Sequence, residues 1–401
     1  MAETMRDWNA SLARRSRSGV SPDAIADILA LSGFTDTITL SGGFPAPETF
    51  PTGAIGVLTS QLLSDDVAVA LQYSPAQGLA SVRGAISDRL GQVEGRSPAG
   101  DELMVTSGGI DALELISKRL LDPGDVVLVE APTYLGALIG FTSYEAEVRG
   151  VPMDEDGLDV EALANLLSSG LRPKLLYTIP DHQNPSGRTM SQERRTMLAS
   201  LAQRYGVLIV EDVAYRELSF SGERLTSLWT LAPDTVVQIG TFSKIFSPGV
   251  RLGWAAGPAS IITQMVKAKQ SSDQCAGAFG QRLVEEYMRG GYLDTQLGLS
   301  RLLYADRCDT MLAALESTMP SDVTWTRPTG GFFTWLTAPA GVNTTALVPQ
   351  ARAARVAYVP GNPFYPDGRG ERNMRLSFSR ASKQDIYEGV RRLAALFSHS
   401  T

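Results

Sequence analysis

The stretch "GTFSKIFSPGVRLGW", residues 240–254, places one lysine, Lys244, before a Pro-Gly turn that is followed by Arg251. The preceding "TVVQI" (235–239) is rich in β-branched residues and predicts a buried strand. Lys244 therefore follows the end of a strand, which is where α/β proteins place their chemistry. A lysine taken alone in this position is most often a solvated surface residue. Its function therefore has to be argued from the rest of the chain.

Further buried strands alternate with helices through the middle of the chain. Four short runs share the β-branched, apolar pattern: "DVVLVE" (125–130), "KLLYTI" (174–179), "GVLIVED" (206–212) and "TVVQIG" (235–240). Helical patterns lie between them at 160–169 and 191–206. This rhythm of strand and helix predicts βαβ units and a mainly parallel sheet over roughly residues 45–285.

The C-terminal third has a different pattern. "GGFFTWLTAP" (330–339) and "RLSFSR" (375–380) are typical of antiparallel strands, and "QDIYEGVRRLAALF" (384–397) predicts an amphipathic closing helix. We therefore expect a smaller α+β domain. The predicted boundaries are an N-terminal arm at 1–40 that packs with this small domain, a large domain at 41–285 and the small domain at 286–401.

Composition excludes several classes of protein. The net charge of −7 and the pI near 5.1 argue against a nucleic-acid-binding protein. The two cysteines, Cys275 and Cys308, have no metal-binding spacing, and with only two histidines we expect no metal site. No stretch approaches the length of an apolar membrane span, and "MAETMRDWNA" at the start is polar, so we expect a cytoplasmic protein without membrane contact.

A candidate anion site lies in "VTSGGIDALELISKRLL" (105–121). Apolar residues at helical spacing predict a helix that opens near Gly109, preceded by Thr106, Ser107 and Gly108. Small residues let a helix N terminus present bare backbone N–H groups to a phosphate. The segment lacks both the ending of a nucleotide P-loop and the GxGxxG pattern of dinucleotide-binding proteins. A tight turn without a ligand is the alternative interpretation.

Three more polar residues follow the predicted strands. Asp212 ends one strand and Tyr215 comes three residues later, while Asn184 lies in the "NPSG" turn after another strand. Asp212 could be only a helix cap, and Asn184 could be only a turn residue. Arg375 lies inside an otherwise apolar strand and needs a partner anion, either a ligand or a protein carboxylate.

Taken together, these features fit one cofactor, pyridoxal 5′-phosphate (PLP). It carries a phosphate, a pyridine nitrogen that must stay protonated, a phenolic oxygen and an aldehyde that condenses with an amine. A desolvated lysine near other cationic groups has a lowered pKa and can attack that aldehyde.

The chain also resembles a known family, the fold-type I, aspartate-aminotransferase-like (class I/II) enzymes that depend on PLP. The likeness runs from about residue 20 to 398 and is greatest to the branch of 2-aminoadipate aminotransferases and of the aminotransferase domains of MocR regulators. The motifs that carry it are "LSGGFPAPETFP" (40–51), "YSPAQGLASVRGAI" (73–86), "VTSGGIDAL", "LVEAPTYLGAL" (128–138), "PDHQNPSGRTMS", "EDVAYRELSF" (211–220), "SKIFSPGVRLGW", "VAYVPGNPFY" (356–365) and "RLSFS". The resemblance implies an α/β large domain with a mainly parallel, seven-stranded type of sheet and a smaller C-terminal α+β domain.

The resemblance also implies roles around the cofactor ring. Lys244 would condense with the aldehyde and move the proton of the substrate Cα. Asp212 would pair with the pyridine nitrogen, and Asn184 and Tyr215 would hydrogen-bond the phenolic oxygen. Tyr134 would stack on the ring face. Lys244, Asp212 and Tyr215 are the predicted catalytic residues.

Phosphate and substrate contacts follow in the same way. The phosphate would be bound by the segment of Gly108, Gly109 and Ile110 together with Ser243 and Arg251, and by Tyr73 of a second subunit, which makes the homodimer necessary. Arg375 would grip the substrate α-carboxylate, helped by Asn184 and by backbone near Gly42.

Two segments depart from the family pattern. Gly109, Ile110 and Asp111 stand where relatives often have Ser-Gln-Gln, and an acid so close to a phosphate is unexpected. Ala26 falls where 2-aminoadipate aminotransferases have an arginine for the distal carboxylate, which predicts a neutral or bulky amino donor.

The predicted function is transfer of an amino group from an L-amino acid to a 2-oxo acid. Other chemistry on the same cofactor stays open at this point: C–S β-elimination, decarboxylation or oxidative deamination. A MocR-type regulator is a hypothesis of another class. It would need a DNA-binding domain, for which about 40 residues before the first motif are too few.

Overall fold

The computed structural model describes residues 8–16 and 36–397. The strands of this part are β1 Ile38–Thr39, β2 Leu103–Thr106, β3 Val126–Ala131, β4 Glu147–Asp154, β5 Gly157–Leu158, β6 Leu175–Thr178, β7 Leu208–Asp212, β8 Val236–Thr241, β9 Gly253–Ala256, β10 Thr324–Trp325, β11 Phe333–Thr337, β12 Val356–Ala357, β13 Val359–Pro360 and β14 Asn373–Ser377. The α-helices are α1 Thr52–Asp65, α2 Val67–Ala70, α3 Ala80–Glu94, α4 Gly109–Leu120, α5 Leu135–Ser143, α6 Val160–Ser168, α7 Gln192–Tyr205, α8 Leu228–Leu231, α9 Ala259–Gln270, α10 Ala278–Arg289, α11 Tyr292–Thr318, α12 Val348–Ala353 and α13 Lys383–Phe397.

The large sheet has the order β2-β9-β8-β7-β6-β3-β4-β5. Neighbouring strands from β8 through β4 are parallel, whereas β9 runs antiparallel to both β2 and β8. A parallel return needs a crossover of a dozen or more residues, and the connection of residues 242–252 is shorter and contains no α-helix. The predicted α/β class and mainly parallel sheet are confirmed. The two-residue β5 is an antiparallel addition to the seven-stranded arrangement.

The central strands are buried on both faces. Leu176 and Ile209 belong to one hydrophobic cluster, whereas Leu175 and Val210 belong to another. Because successive side chains of a strand point to opposite faces, these two clusters are the cores on the two sides of the sheet. This explains why the strands appear as continuous apolar runs in the sequence.

A second sheet, with the order β10-β11-β14-β13, is antiparallel. This confirms the antiparallel strands predicted in the C-terminal third. Strand β1 pairs in parallel with β12, Ile38 opposite Val356, and so joins residues 38–39 to the C-terminal third of the chain. The proposed domain boundaries stay a prediction, and Ala26 lies outside the described residues. In residues 8–16 and 36–397, no helix is long and apolar enough to cross a membrane.

The topology gathers the polar residues at one edge of the large sheet. The carboxyl ends of the parallel strands β3, β6, β7 and β8 meet there. Tyr134 follows β3, Asn184 follows β6, Asp212 ends β7 and Lys244 follows β8. Arg375 reaches the same place from β14 of the small sheet.

Candidate active site

A cavity of about 350 Å³ lies at this edge of the large sheet. It is lined by most of the residues that the sequence predicted: Gly109, Ile110, Tyr134, Asn184, Asp212, Tyr215, Ser243, Lys244, Arg251 and Arg375. Apolar side chains complete the wall: Phe44, Leu113, Leu135, Ile179, Phe333 and Phe364. The volume suits a small ligand with a few polar groups that fix its orientation.

Lys244 presents an amine to this cavity. Its Nζ donates to the carbonyl oxygen of Gly43 at 3.0 Å, and within the described ranges no carboxylate forms a salt bridge with it. Removal from bulk water, assisted by the positive charge of Arg375, lowers the pKa of Lys244 to about 8. A sizeable fraction of the amine is therefore neutral near physiological pH, which is the form that attacks a carbonyl group.

Asp212 is a buried carboxylate held by neutral donors. Its Oδ2 accepts from the Tyr177 hydroxyl at 2.8 Å, and its Oδ1 accepts from the backbone N–H of Ala214 at 3.0 Å. Burial raises the pKa of Asp212, while these two hydrogen bonds favour the ionised form and oppose that rise. A carboxylate in this state suits a protonated ring nitrogen, which would supply the missing positive charge.

The loop before α4 brings together groups of the kind that bind an anion. Gly108 caps the helix with φ +106°, and a Cβ there would come within 2.9 Å of Nη2 of Arg251. Arg251 donates from Nη2 to the carbonyl oxygen of Ser107 at 3.3 Å and from Nη1 to Ser243 Oγ at 3.5 Å. A helix N terminus, a hydroxyl and a guanidinium therefore converge, which is the chemistry that binds a phosphate.

Arg375 is buried, with 5% of its surface exposed. Its Nη1 donates to Asn184 Oδ1 at 2.8 Å and its Nη2 to the carbonyl oxygen of Ser41 at 2.7 Å, but Nε has no partner. The guanidinium lies over the rings of Phe333 and Phe364, 4.2 and 5.0 Å from their centroids. In the described part of the chain no carboxylate pairs with Arg375, so the alternative of a protein salt bridge is not found there.

Tyr215, Asn184 and Tyr134 line the cavity around these charges. Burial raises the pKa of Tyr215, while a hydrogen bond with Asn184 opposes the rise. Gly136 gives the Tyr134 ring its space, because a Cβ at residue 136 would come within 2.6 Å of that ring.

Three predicted residues do not line the cavity. Tyr73 is 82% exposed on the surface of the chain. Gly108 lies in the loop behind the cavity wall, and Gly42 is buried between Ser41 and Gly43, whose carbonyl oxygens accept from Arg375 and Lys244.

The sequence predictions missed the partner of Asp212 and the aromatic wall. Tyr177 is a hydroxyl-bearing residue inside an apolar strand, and a buried tyrosine usually has a hydrogen-bond partner. That pattern could have indicated its role. Phe333 lies in a segment that was predicted only as a strand, and Phe364 lies in a segment that was quoted only as a motif, so their contact with Arg375 had no signal of its own.

Known proteins share this architecture. Residues 61–393 match the family aminotransferase class I and II. The chain is 41% identical over 381 residues to aromatic-amino-acid aminotransferase 1 of Thermococcus litoralis, covering 94% of this chain and 91% of that protein. It is 36% identical to the 2-aminoadipate transaminase of Thermus thermophilus, covering 93% of each. The crystal structure of Pyrococcus horikoshii kynurenine aminotransferase in complex with PMP has a TM-score of 0.93 and 38% identity, with 98% of each chain covered.

The fold and the site thus define a PLP-dependent enzyme of fold type I. The chain belongs to the aminotransferase class I and II family, and its cofactor is PLP. The predicted family, branch, enzyme class and cofactor are confirmed. The residues fit that cofactor: an amine for its aldehyde, a carboxylate for its ring nitrogen and a helix N terminus with a guanidinium for its phosphate.

Proposed function

We propose that the enzyme uses this cavity to transfer the amino group of a neutral, bulky L-amino acid to a 2-oxo acid. One observation carries this proposal: Lys244, Asp212 and Arg375 are charged groups that face a single cavity without an oppositely charged side chain bonded to any of them in the described residues. Charges that are withdrawn from bulk water are normally paired, so three unpaired ones support a site whose ligands bring the missing charges.

Each residue has a distinct task in this proposal. PLP supplies a carbonyl that captures the amine and a ring that accepts negative charge. Asp212 keeps the ring nitrogen protonated, and Asn184 and Tyr215 hold the phenolic oxygen in place. Arg375 orients the amino acid by its α-carboxylate with a two-pronged grip. Lys244 would remove the proton from the substrate Cα and later deliver a proton, because its pKa of about 8 lets the amine both accept and donate.

The choice of donor is supported by the cavity wall. Within the described residues the cations on that wall are Lys244, Arg251 and Arg375, and each has a role assigned above. Phe44, Phe333 and Phe364 offer apolar surface instead of a further cation for a distal carboxylate. The aromatic specificity in the name of the Thermococcus litoralis relative agrees with this preference.

The test is product analysis by mass spectrometry on a panel of amino acids, with and without a 2-oxo acid. We expect turnover only when the acceptor is present, and aromatic or bulky donors to exceed glutamate and 2-aminoadipate in kcat/KM. Turnover without acceptor would indicate a lyase, decarboxylase or oxidase instead. A strong preference for 2-aminoadipate would contradict the proposed donor class.

We also propose that the active enzyme is a homodimer in which Tyr73 serves the partner's phosphate site. The support is a surface of exposed apolar residues next to Tyr73, namely Val67 at 45%, Val69 at 41% and Leu71 at 65% exposure. Mixing Tyr73→Phe with Lys244→Ala chains should create hybrid dimers with one intact site and recover activity. A monomer with full activity in sedimentation would contradict the shared site. The cytoplasmic location stays a prediction.

A further inference from the structure

A fully buried lysine lies behind the proposed phosphate site. Lys269, near the end of α9, has a fully buried side chain. Its Nζ lies within hydrogen-bonding distance of Asp111 Oδ2 at 2.8 Å, Ser107 Oγ at 3.1 Å and both carboxylate oxygens of Asp273 at 2.8 and 2.9 Å. Ser107 belongs to the loop that leads into α4, Asp111 lies in the first turn of that helix, and Asp273 contacts the loop through Ser107.

This cluster grips the loop directly. Asp111 Oδ2 also accepts from the backbone N–H of Ser107 at 2.7 Å, and Ser107 Oγ donates to Asp273 Oδ2 at 2.6 Å. From the other side, Arg251 donates to the carbonyl oxygen of Ser107. Both polar groups of the Ser107 backbone are thus held, one by the cluster and one by the arginine of the phosphate site.

The cluster also pairs the negative charge of Asp111 at the N terminus of α4. Asp111 is the third residue of α4, whose N terminus forms the proposed phosphate site. A carboxylate there would interact with the same helix dipole as the phosphate and would repel it. The side chain of Asp111 turns instead to the Ser107 N–H and to Lys269, whose ammonium group it shares with Asp273, so that its charge is paired.

We propose that Lys269 is a positioning residue, which neutralises Asp111 and fixes the Ser107–Gly109 loop so that the N terminus of α4 can bind the cofactor phosphate. This inference rests on the proposed phosphate site. It also accounts for the acid that the sequence placed unexpectedly beside a phosphate.

The experiment compares the dissociation constants of the apoenzyme for PLP and for pyridoxal, which lacks the phosphate. In Lys269→Met we expect PLP to bind about tenfold more weakly, because the unpaired Asp111 charge opposes the phosphate, while pyridoxal changes less than about twofold. The matched control is Lys267→Met, two residues earlier on the same helix at an exposed position, which should bind both ligands like the wild type.

A double variant separates charge from packing. Lys269→Met with Asp111→Asn should recover most of the lost PLP affinity, since asparagine carries no charge but can still accept from Ser107. If the double variant binds PLP as weakly as Lys269→Met, the charge of Asp111 is not what weakens binding and the inference is wrong. Should Lys269→Met fail to fold, Asp111→Asn alone decides, because it should bind PLP at least as tightly as the wild type and a loss of about tenfold would contradict us.

The outcome for the wild type separates the two proposals. If the wild type does not prefer PLP to pyridoxal, the phosphate site itself is wrong and the role of Lys269 fails with it. If the wild type prefers PLP and Lys269→Met does so equally, only the role of Lys269 is overturned.

Discussion

Two groups of charges that are withdrawn from bulk water behave in opposite ways. On the cavity side, Asp212 and Lys244 have hydrogen bonds to neutral groups only. Beyond the cavity wall, Arg195, Asp181, Arg216 and Glu94 alternate in sign and form a continuous chain of ion pairs. Arg216 directly follows Tyr215, which lines the cavity, so a single step along the backbone leads from the cavity wall to the ionic chain.

The two groups differ in the direction in which the pKa of a buried aspartate is shifted. Burial raises the pKa of Asp212. Burial would also raise the pKa of Asp181, but the guanidinium groups of Arg195 and Arg216 hold it well below the usual value. Complete pairing makes the ionic chain a structural element, whereas incomplete pairing leaves the cavity group ready for ligands that bring the opposite charge. Pairing, and not burial alone, therefore distinguishes the two roles.

The largest effect should follow from removal of the cavity amine. Lys244→Ala should lose roughly a thousandfold or more in kcat, because no other amine takes over the condensation and the proton transfer. The unfolding temperature of the apoenzyme should not fall, since no ion pair is lost. Borohydride reduction of the wild type should fix the cofactor onto Lys244, as read by peptide mass spectrometry. Label on another lysine would contradict the assignment.

A substitution in the ionic chain should lower the stability of the protein and leave its catalytic activity unchanged. Arg216→Met should destabilise the protein by about 3 kcal/mol, roughly a hundredfold in the unfolding equilibrium, because Glu94 and Asp181 keep buried charges without this partner. Urea denaturation measures this loss of stability. Tyr215→Phe, which changes the neighbouring residue without removing a charge, is the control for stability. A loss of activity without a loss of stability would show that the two groups are not separate.

The sequence predicted one side of this comparison much better than the other. Lys244 and Asp212 could be placed because each closely follows a strand with a clear β-branched pattern. The ionic chain could not be predicted. Arg216 and Glu94 are 122 positions apart, and only tertiary packing, which no local sequence pattern indicates, brings them together. The same holds for Lys269 and Asp111, which lie 158 positions apart.

Loss of the carboxylate at the cavity should cost less than loss of the amine. Asp212→Asn keeps the shape and can still accept from Tyr177, but it no longer stabilises a protonated ring nitrogen. We expect kcat to fall by about a hundredfold while the unfolding free energy changes little. Asp181→Asn is the matched control, with the opposite pattern of lost stability and retained kcat. Near-normal turnover in Asp212→Asn would refute its pairing with the ring.

A smaller effect is expected at Arg375. Arg375→Lys keeps the positive charge but loses the planar fork, so kcat/KM should fall about tenfold to a hundredfold. Every amino donor has the same α-carboxylate, and the penalty should therefore be uniform across a donor panel. A penalty confined to one class of side chain would instead place Arg375 at the substrate side chain.

The smallest effect concerns pH and tests the unpaired state of Lys244. Its pKa of about 8 lies below the ordinary value for lysine, so the amine becomes neutral at a lower pH than a surface lysine. The rate at which the apoenzyme captures PLP covalently should rise about tenfold per pH unit below about 8 and level off above it. Stopped-flow absorbance gives this profile, with Lys244→Ala as the blank. A rate that keeps rising to about pH 10 would mean that the amine is solvated or paired with a carboxylate, and the contrast with the ionic chain would disappear.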